Sequence, residues 1–226
     1  MFCSDFIEKQ KMNIDLKFND SKLIAILDRI VELFYEYGIR NLNMDDISSH
    51  LKISKKTLYQ YVKSKEDLIE HLFAYDSFKW NKKISEIKVN EINAIDILIQ
   101  VSIFIYDEMS RLNPKLKFEM KKYYEPIFNH HMIEKQNHIF NQLSKNMQKG
   151  KAEGLYRQDV DIELTAGLYI RNLLDMHNKE YCFGSEITFN QVFEVMFENH
   201  IRAISTPAGL AYFEKRKLEL QILNKN

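Results

Sequence analysis

Ile53-Ser54-Lys55-Lys56-Thr57-Leu58-Tyr59-Gln60-Tyr61-Val62-Lys63-Ser64-Lys65-Glu66-Asp67-Leu68 is the stretch whose reading decides the fold. Ser54 has the side chain of an N-cap, so a short helix is expected to run from it to about Tyr61. At about 100° per residue, Leu58 points inward and Val62 lies close to the same side. Lys56 and Gln60 then lie opposite, with Lys55, Thr57 and Tyr59 flanking them. Just upstream, Asn43 can cap a helix Met44–Leu51, with Asp45 and Asp46 in its first turn, where carboxylates suit the helix dipole. Ile47 and Leu51 are its inward residues, and Lys52-Ile53 makes the turn into the next helix. Downstream, Ser64-Lys65-Glu66-Asp67 starts a further helix in a pattern akin to a capping box. Leu68, Ile69, Leu72, Phe73, Trp80, Ile84 and Ile87 carry that helix to about residue 88.

Two short helices joined by a tight turn, the second basic and outward-facing, have the layout of a helix-turn-helix. The outward set combines cations, an amide and an aromatic hydroxyl, groups that reach base edges and phosphates in a major groove. Tyr61 and Lys65 sit nearer the margin and suit backbone contacts, and Lys65 lies at a helix N-terminus, where amides and dipole favour a phosphate. Charge distribution agrees. The chain is neutral overall, with 32 Lys plus Arg against 32 Asp plus Glu, yet residues 52–65 hold Lys52, Lys55, Lys56, Lys63 and Lys65 and no acid. A lysine-rich helix face is also an ordinary solvated surface, so the charge alone decides nothing.

Working outward, a helix capped by Asp20 or Ser21 precedes the motif, with Leu23, Leu27, Ile30, Val31 and Phe34 on one face and Gly38 at its end. The first 18 residues lack clear periodicity and read as an arm or a frayed helix. Beyond residue 88 the helices lengthen: Ile92–Arg111, Pro114–Tyr124, Pro126–Lys149, Ile162–Tyr181, Thr188–Ser205 and Ala208–Ile222. The three prolines fall at or next to helix starts, and Gly150 and Gly154 are expected to close the longest helix. With 45% hydrophobic residues, six glycines and three prolines, the chain can bury a core but has few punctuators for strands. The expected class is all-α.

Other classes of function find little support. Cys3 and Cys182 stand at opposite ends without a partner at metal-ligand spacing, which fits a reducing compartment. No signal-peptide pattern and no membrane-length apolar run occurs, so a cytoplasmic protein is expected. His130, His131 and His138 share a helix at spacings that suit no metal site. No phosphate loop, nucleophile elbow or Cys-His constellation is present, so neither an enzyme nor a bound cofactor is expected.

The run from Phe34-Tyr35-Glu36-Tyr37-Gly38-Ile39, through Met44-Asp45-Asp46-Ile47, to Leu68 resembles the TetR family of bacterial regulators, over about a quarter of the chain. The resemblance implies that Lys55, Lys56 and Tyr59 face bases, while Thr57, Gln60, Tyr61 and Lys65 mainly hold phosphates. Asn43, Met44 and Ser54 complete the expected DNA-facing set. The angular reading puts Gln60 fully outward, which leaves it open between base and backbone. Three positions depart from the family pattern. Asn43 stands where Thr is common but still caps. Lys52 stands where Gly is common, which implies a positive φ at some cost. Val62 replaces an aromatic, which implies looser packing.

A DNA-binding module is thus expected over residues 19–66, and a helical effector-binding and dimerisation body over 67–226. Ala166, Gly167, Ile170 and Leu174, with Phe193, Phe197, His200, Ile201 and Ile204, recur at helical spacing and suggest a four-helix dimer interface, which the resemblance also implies. Burial inside one subunit would produce the same stripes. Trp80, Phe104, Met109, Met120, Tyr123, Tyr124 and Phe128 belong to an aromatic and sulfur-rich region that could line an effector pocket, although core packing accounts for each of them singly. The expected partners are operator DNA, a second copy and a small apolar or amphipathic effector. Two other readings stay open: a DNA-bound adaptor that recruits a protein, and a helical enzyme with a vestigial DNA module.

Overall fold

The computed structural model describes residue 18 and residues 20–88, 93–110, 113–175 and 188–223. Among these the fold is all helical: α1 Ser21–Tyr37, α2 Met44–His50, α3 Lys55–Tyr61, α4 Lys65–Lys88, α5 Ala94–Ser110, α6 Pro114–Tyr123, α7 Glu125–Ala152, α8 Ile162–Asp175, α9 Phe189–Ile204 and α10 Pro207–Leu223. Two compact units form. One comprises Met1–Ser85 and Leu112–Glu134, the other Glu86–Arg111 and Lys135–Asn226.

In the first unit, Asp20 caps α1 by accepting from the amides of Lys22 and Leu23. Leu23, Leu27, Ile30, Leu33 and Phe34 form the buried face of α1, and Gly38 ends the helix at φ 83°. That face meets Ile47, Leu58, Val62, Leu68, Ile69 and Leu72, with Met120 and Phe128 closing the cluster. Each such side chain contributes about 1.5–3 kcal/mol on burial. The cluster runs on past residue 66 through Leu68 and Ile69. Phe18, within the expected arm, is buried against the rings of Tyr75 and Phe78, both at 5.4 Å. The rest of that arm, residues 1–17, lies outside the described residues.

The second unit is assembled around α5. Asp96, buried near the start of α5, accepts from the Tyr212 hydroxyl at 2.5 Å, Arg216 Nε at 2.7 Å and Asn93 Nδ2 at 2.9 Å. Asn146 Nδ2 donates to the Ala94 carbonyl at 2.8 Å, and Asn146 Oδ1 accepts from the Tyr156 hydroxyl at 3.3 Å. Gly150 does not close α7, which runs on to Ala152. A Cβ at Gly150 would stand 2.0 Å from the Tyr156 ring, so the glycine admits that ring. The chain leaves α7 at Gly154, at φ 72°. Thr188 and Gln191 form the capping box of α9, which packs on α5 and α10. The expected continuation of α8 to Tyr181, with His177 and Cys182 nearby, falls outside the described residues.

Candidate nucleic-acid interface

The geometry of the motif is set by main-chain capping. Asn43 Oδ1 accepts from the amides of Asp45 at 2.8 Å and Asp46 at 2.9 Å, and Asp46 Oδ2 accepts from the Asn43 amide at 2.9 Å. Lys52 takes φ 56° in the turn, a conformation a β-carbon disfavours. Ser54 Oγ accepts from the Thr57 amide at 3.0 Å and shares a 2.8 Å hydrogen bond with the Thr57 hydroxyl. The hydroxyls of Ser54 and Thr57 are thus engaged with each other. Ser64 Oγ accepts from the Asp67 amide at 3.1 Å, and Asp67 accepts from the Lys63 amide at 2.6 Å.

On α3, Leu58 and Val62 are buried, while Lys55, Lys56, Tyr59 and Gln60 are exposed and Thr57 and Tyr61 half-buried. Val62, despite replacing an aromatic, belongs to the core. Met44 is half-buried and packs on the same core. The Lys55 ammonium pairs with Asp45 at 2.5 Å, both side chains well exposed. Such a pair is worth no more than about 1 kcal/mol and yields readily to a phosphate.

Lys65, expected at a phosphate, has partners within its own chain. Its ammonium is half-buried and donates to the main-chain carbonyls of Ile39 and Leu42. Burial holds its pKa below the usual lysine range, against the opposing pull of Glu66, Asp46 and Glu119. Two donors are therefore fastened to the α1–α2 turn. Two further residues act on that turn. Glu119 of α6 accepts from the Ile39 amide at 2.7 Å, and Arg40 donates to the Tyr123 hydroxyl at 3.2 Å. The one visible hint of Glu119 in the sequence is that it is the sole acid in a helix carrying Lys115, Lys117, Lys121 and Lys122.

The aromatic set is divided between the two units. Trp80, Met120, Tyr123, Tyr124 and Phe128 belong to the first unit, Phe104 and Met109 to the second. Met120 and Phe128 are core residues, Tyr124 packs against them, and Tyr123 is exposed.

Ala166, Ile170, Phe193, His200, Ile201 and Ile204, expected at a dimer interface, are buried within one chain. Gly167, Leu174 and Phe197 are partly exposed. Helical periodicity reports that a face is buried, not what buries it. The His200 ring lies tilted against Tyr169 at 4.3 Å between centroids, and burial lowers its pKa to about 4. The apolar side chains left outward are Leu164 (67% exposed) and Leu168 (63%) on α8, and Val195 (59%) on α9.

Comparison with known proteins agrees with this geometry. Residues 26–72 match the model for bacterial regulatory proteins of the tetR family. No curated protein sequence matches the chain. Among solved structures, a transcriptional regulator from Cytophaga hutchinsonii is similar at 18% identity and TM-score 0.65, over 83% of this chain and 100% of that one. The fatty acid degradation regulator FadR from Bacillus halodurans is similar at 18% identity and TM-score 0.61, over 80% of this chain and 95% of that one. The ketosteroid transcriptional regulator KstR2 of Mycobacterium tuberculosis gives 18% identity and TM-score 0.52, over 83% and 96%. The tetR-family match thus covers the helix-turn-helix segment, on an all-helical fold similar to that of such regulators.

Proposed function

We propose that this tetR-type chain binds palindromic operator DNA as a homodimer, represses transcription in the cytoplasm, and is released by a small apolar or amphipathic effector. The observation that carries the reading is α3, where Leu58 and Val62 anchor the helix and Lys55, Lys56, Tyr59 and Gln60 face solvent together. One helix of this length covers a half-site, so a palindrome needs two copies. Leu164 and Leu168, one helical turn apart, and Val195 offer a surface that a second copy would cover. Two similar structures are named for ketosteroid regulation and fatty acid degradation, which supports an apolar class of effector.

Selection of genomic fragments by the purified chain, followed by fluorescence titration, tests the reading. One duplex is expected to be preferred, with a log–log salt slope of about −7 if a dimer neutralises about eight phosphates. No preference and no salt dependence would sink it. Leu168→Glu should leave the fold intact, because Leu168 is exposed in one chain, and convert a sedimenting dimer to monomer. The adaptor reading draws on Phe118, 61% exposed on α6 beneath the Lys122 ammonium. It gains if ligands that stabilise the chain never alter operator affinity.

A further inference from the structure

The turn between α1 and α2 is gripped from two sides at one residue. The Ile39 N–H is donated to the Glu119 carboxylate from α6, and the Ile39 carbonyl accepts from the Lys65 ammonium of α4, which also reaches Leu42. Gly38 makes the approach possible: at φ 83° it lacks a Cβ that would lie 3.1 and 3.2 Å from the two Glu119 oxygens. A second tie joins the same turn to the same helix, since the Arg40 guanidinium lies 5.1 Å over the Tyr123 ring. The turn ends at Leu42, next to the Asn43 capping box that starts α2.

We propose that Glu119 is a positioning residue for DNA recognition, holding the 38–42 turn so that α2, and with it α3, starts in the right place. This rests on the DNA-binding reading above. Helices as short as α2 and α3, seven residues each, have little stability of their own, so their direction follows what fixes their ends. Electrostatics alone makes the contrary claim. A carboxylate on an otherwise lysine-rich helix repels a polyanion, and its removal would tighten binding to every duplex. A positioning role gives a loss confined to the operator.

The test uses the full chain, its selected operator and a scrambled duplex of equal length at matched salt, with hydrogen exchange at the Ile39 amide. Glu119→Ala should weaken operator binding by about tenfold or more, the range expected for a lost hydrogen bond to a charged group. Glu119→Gln keeps an acceptor oxygen and should fall between Ala and wild type. Scrambled-duplex affinity should stay level or rise slightly in both variants. The Ile39 amide should exchange faster in Glu119→Ala without DNA. If Glu119→Ala fails to fold, Glu119→Gln decides: weaker operator binding with unchanged scrambled binding supports the role, and wild-type affinity overturns it. Equal losses on both duplexes, or tighter binding to both, also overturn it. If wild type prefers no duplex, the DNA-binding reading falls first. Unchanged Ile39 exchange in Glu119→Ala overturns the clamp independently of DNA.

Discussion

Lys65 in the first unit and Arg216 in the second are both half-buried cations that fasten distant segments of chain, and they do it in opposite ways. Lys65 donates to two main-chain carbonyls, whose dipoles satisfy its protons but leave its charge in place. Arg216 donates to Asp96 and Glu219, whose two carboxylates outweigh its charge and hold its pKa above the usual arginine value, Asp96 contributing most. The first unit therefore stays positive behind Lys55, Lys56 and Lys63, where a polyanion is expected. In the second unit, where a second copy is expected, the cation is fully compensated by acid. Partner choice, rather than the number of cations, separates a surface that attracts from a scaffold that only holds.

The largest effect should come from breaking the Asp96 cluster directly. Asp96→Ala leaves Arg216, Tyr212 and Asn93 without their common acceptor and should cost about 3–5 kcal/mol in denaturant unfolding. A loss below about 1 kcal/mol would show that water takes the place of the carboxylate, and the contrast with Lys65 would fail.

Acid should attack the same region through His200. Its folded pKa is about 4, against 6.5 in the unfolded chain, because burial penalises the imidazolium. Above pH 6.5 both states are neutral and stability is complete. Between pH 6.5 and 4 the unfolded state binds the proton first, so about 3 kcal/mol is lost progressively as pH falls. His200→Phe should flatten that part of the stability–pH curve. An unchanged curve would mean His200 is not kept neutral.

The first unit offers a finer test. Lys65→Met keeps the aliphatic stem and removes both carbonyl contacts, which should cost about 2 kcal/mol of stability. The log–log salt slope for operator binding should stay nearly constant. A slope flatter by about one unit would return Lys65 to the phosphate contacts. The smallest effect is expected at the exposed face of α3, where Lys56→Ala should leave stability unchanged. It should relax preference at particular base pairs by about 1–2 kcal/mol, read by competition among single-site operator variants.

Legibility followed the locality of each interaction. Asn43 and Ser54 cap as expected, and Asp20 caps where Asp20 or Ser21 was expected to, because a cap and its amides lie within three residues of each other. The sides of α3 follow from helical spacing alone, while the positive φ of Lys52 was implied by the family resemblance, whose pattern has a glycine there. Lys65 was not legible because its acceptors lie 23 and 26 residues back and are main chain. Glu119 was hidden further, its partner standing 80 residues away. On α8 and α9 the apolar period identified a buried face, but Ala166, Ile170 and Ile201 meet their own chain. Leu164, Leu168 and Val195 broke no pattern in the sequence and went unnoticed.

Gly150 bears on how this chain could be engineered. A glycine inside a helix is the usual first target for thermostabilisation, since alanine there typically adds about 0.5–1 kcal/mol. Here the added methyl would collide with the Tyr156 ring, and that ring could retreat only by breaking its bond to Asn146, the residue that holds Ala94 at the head of α5. A library that scores positions by helix propensity would rank Gly150→Ala among its best members, and the assay should rank it among the worst.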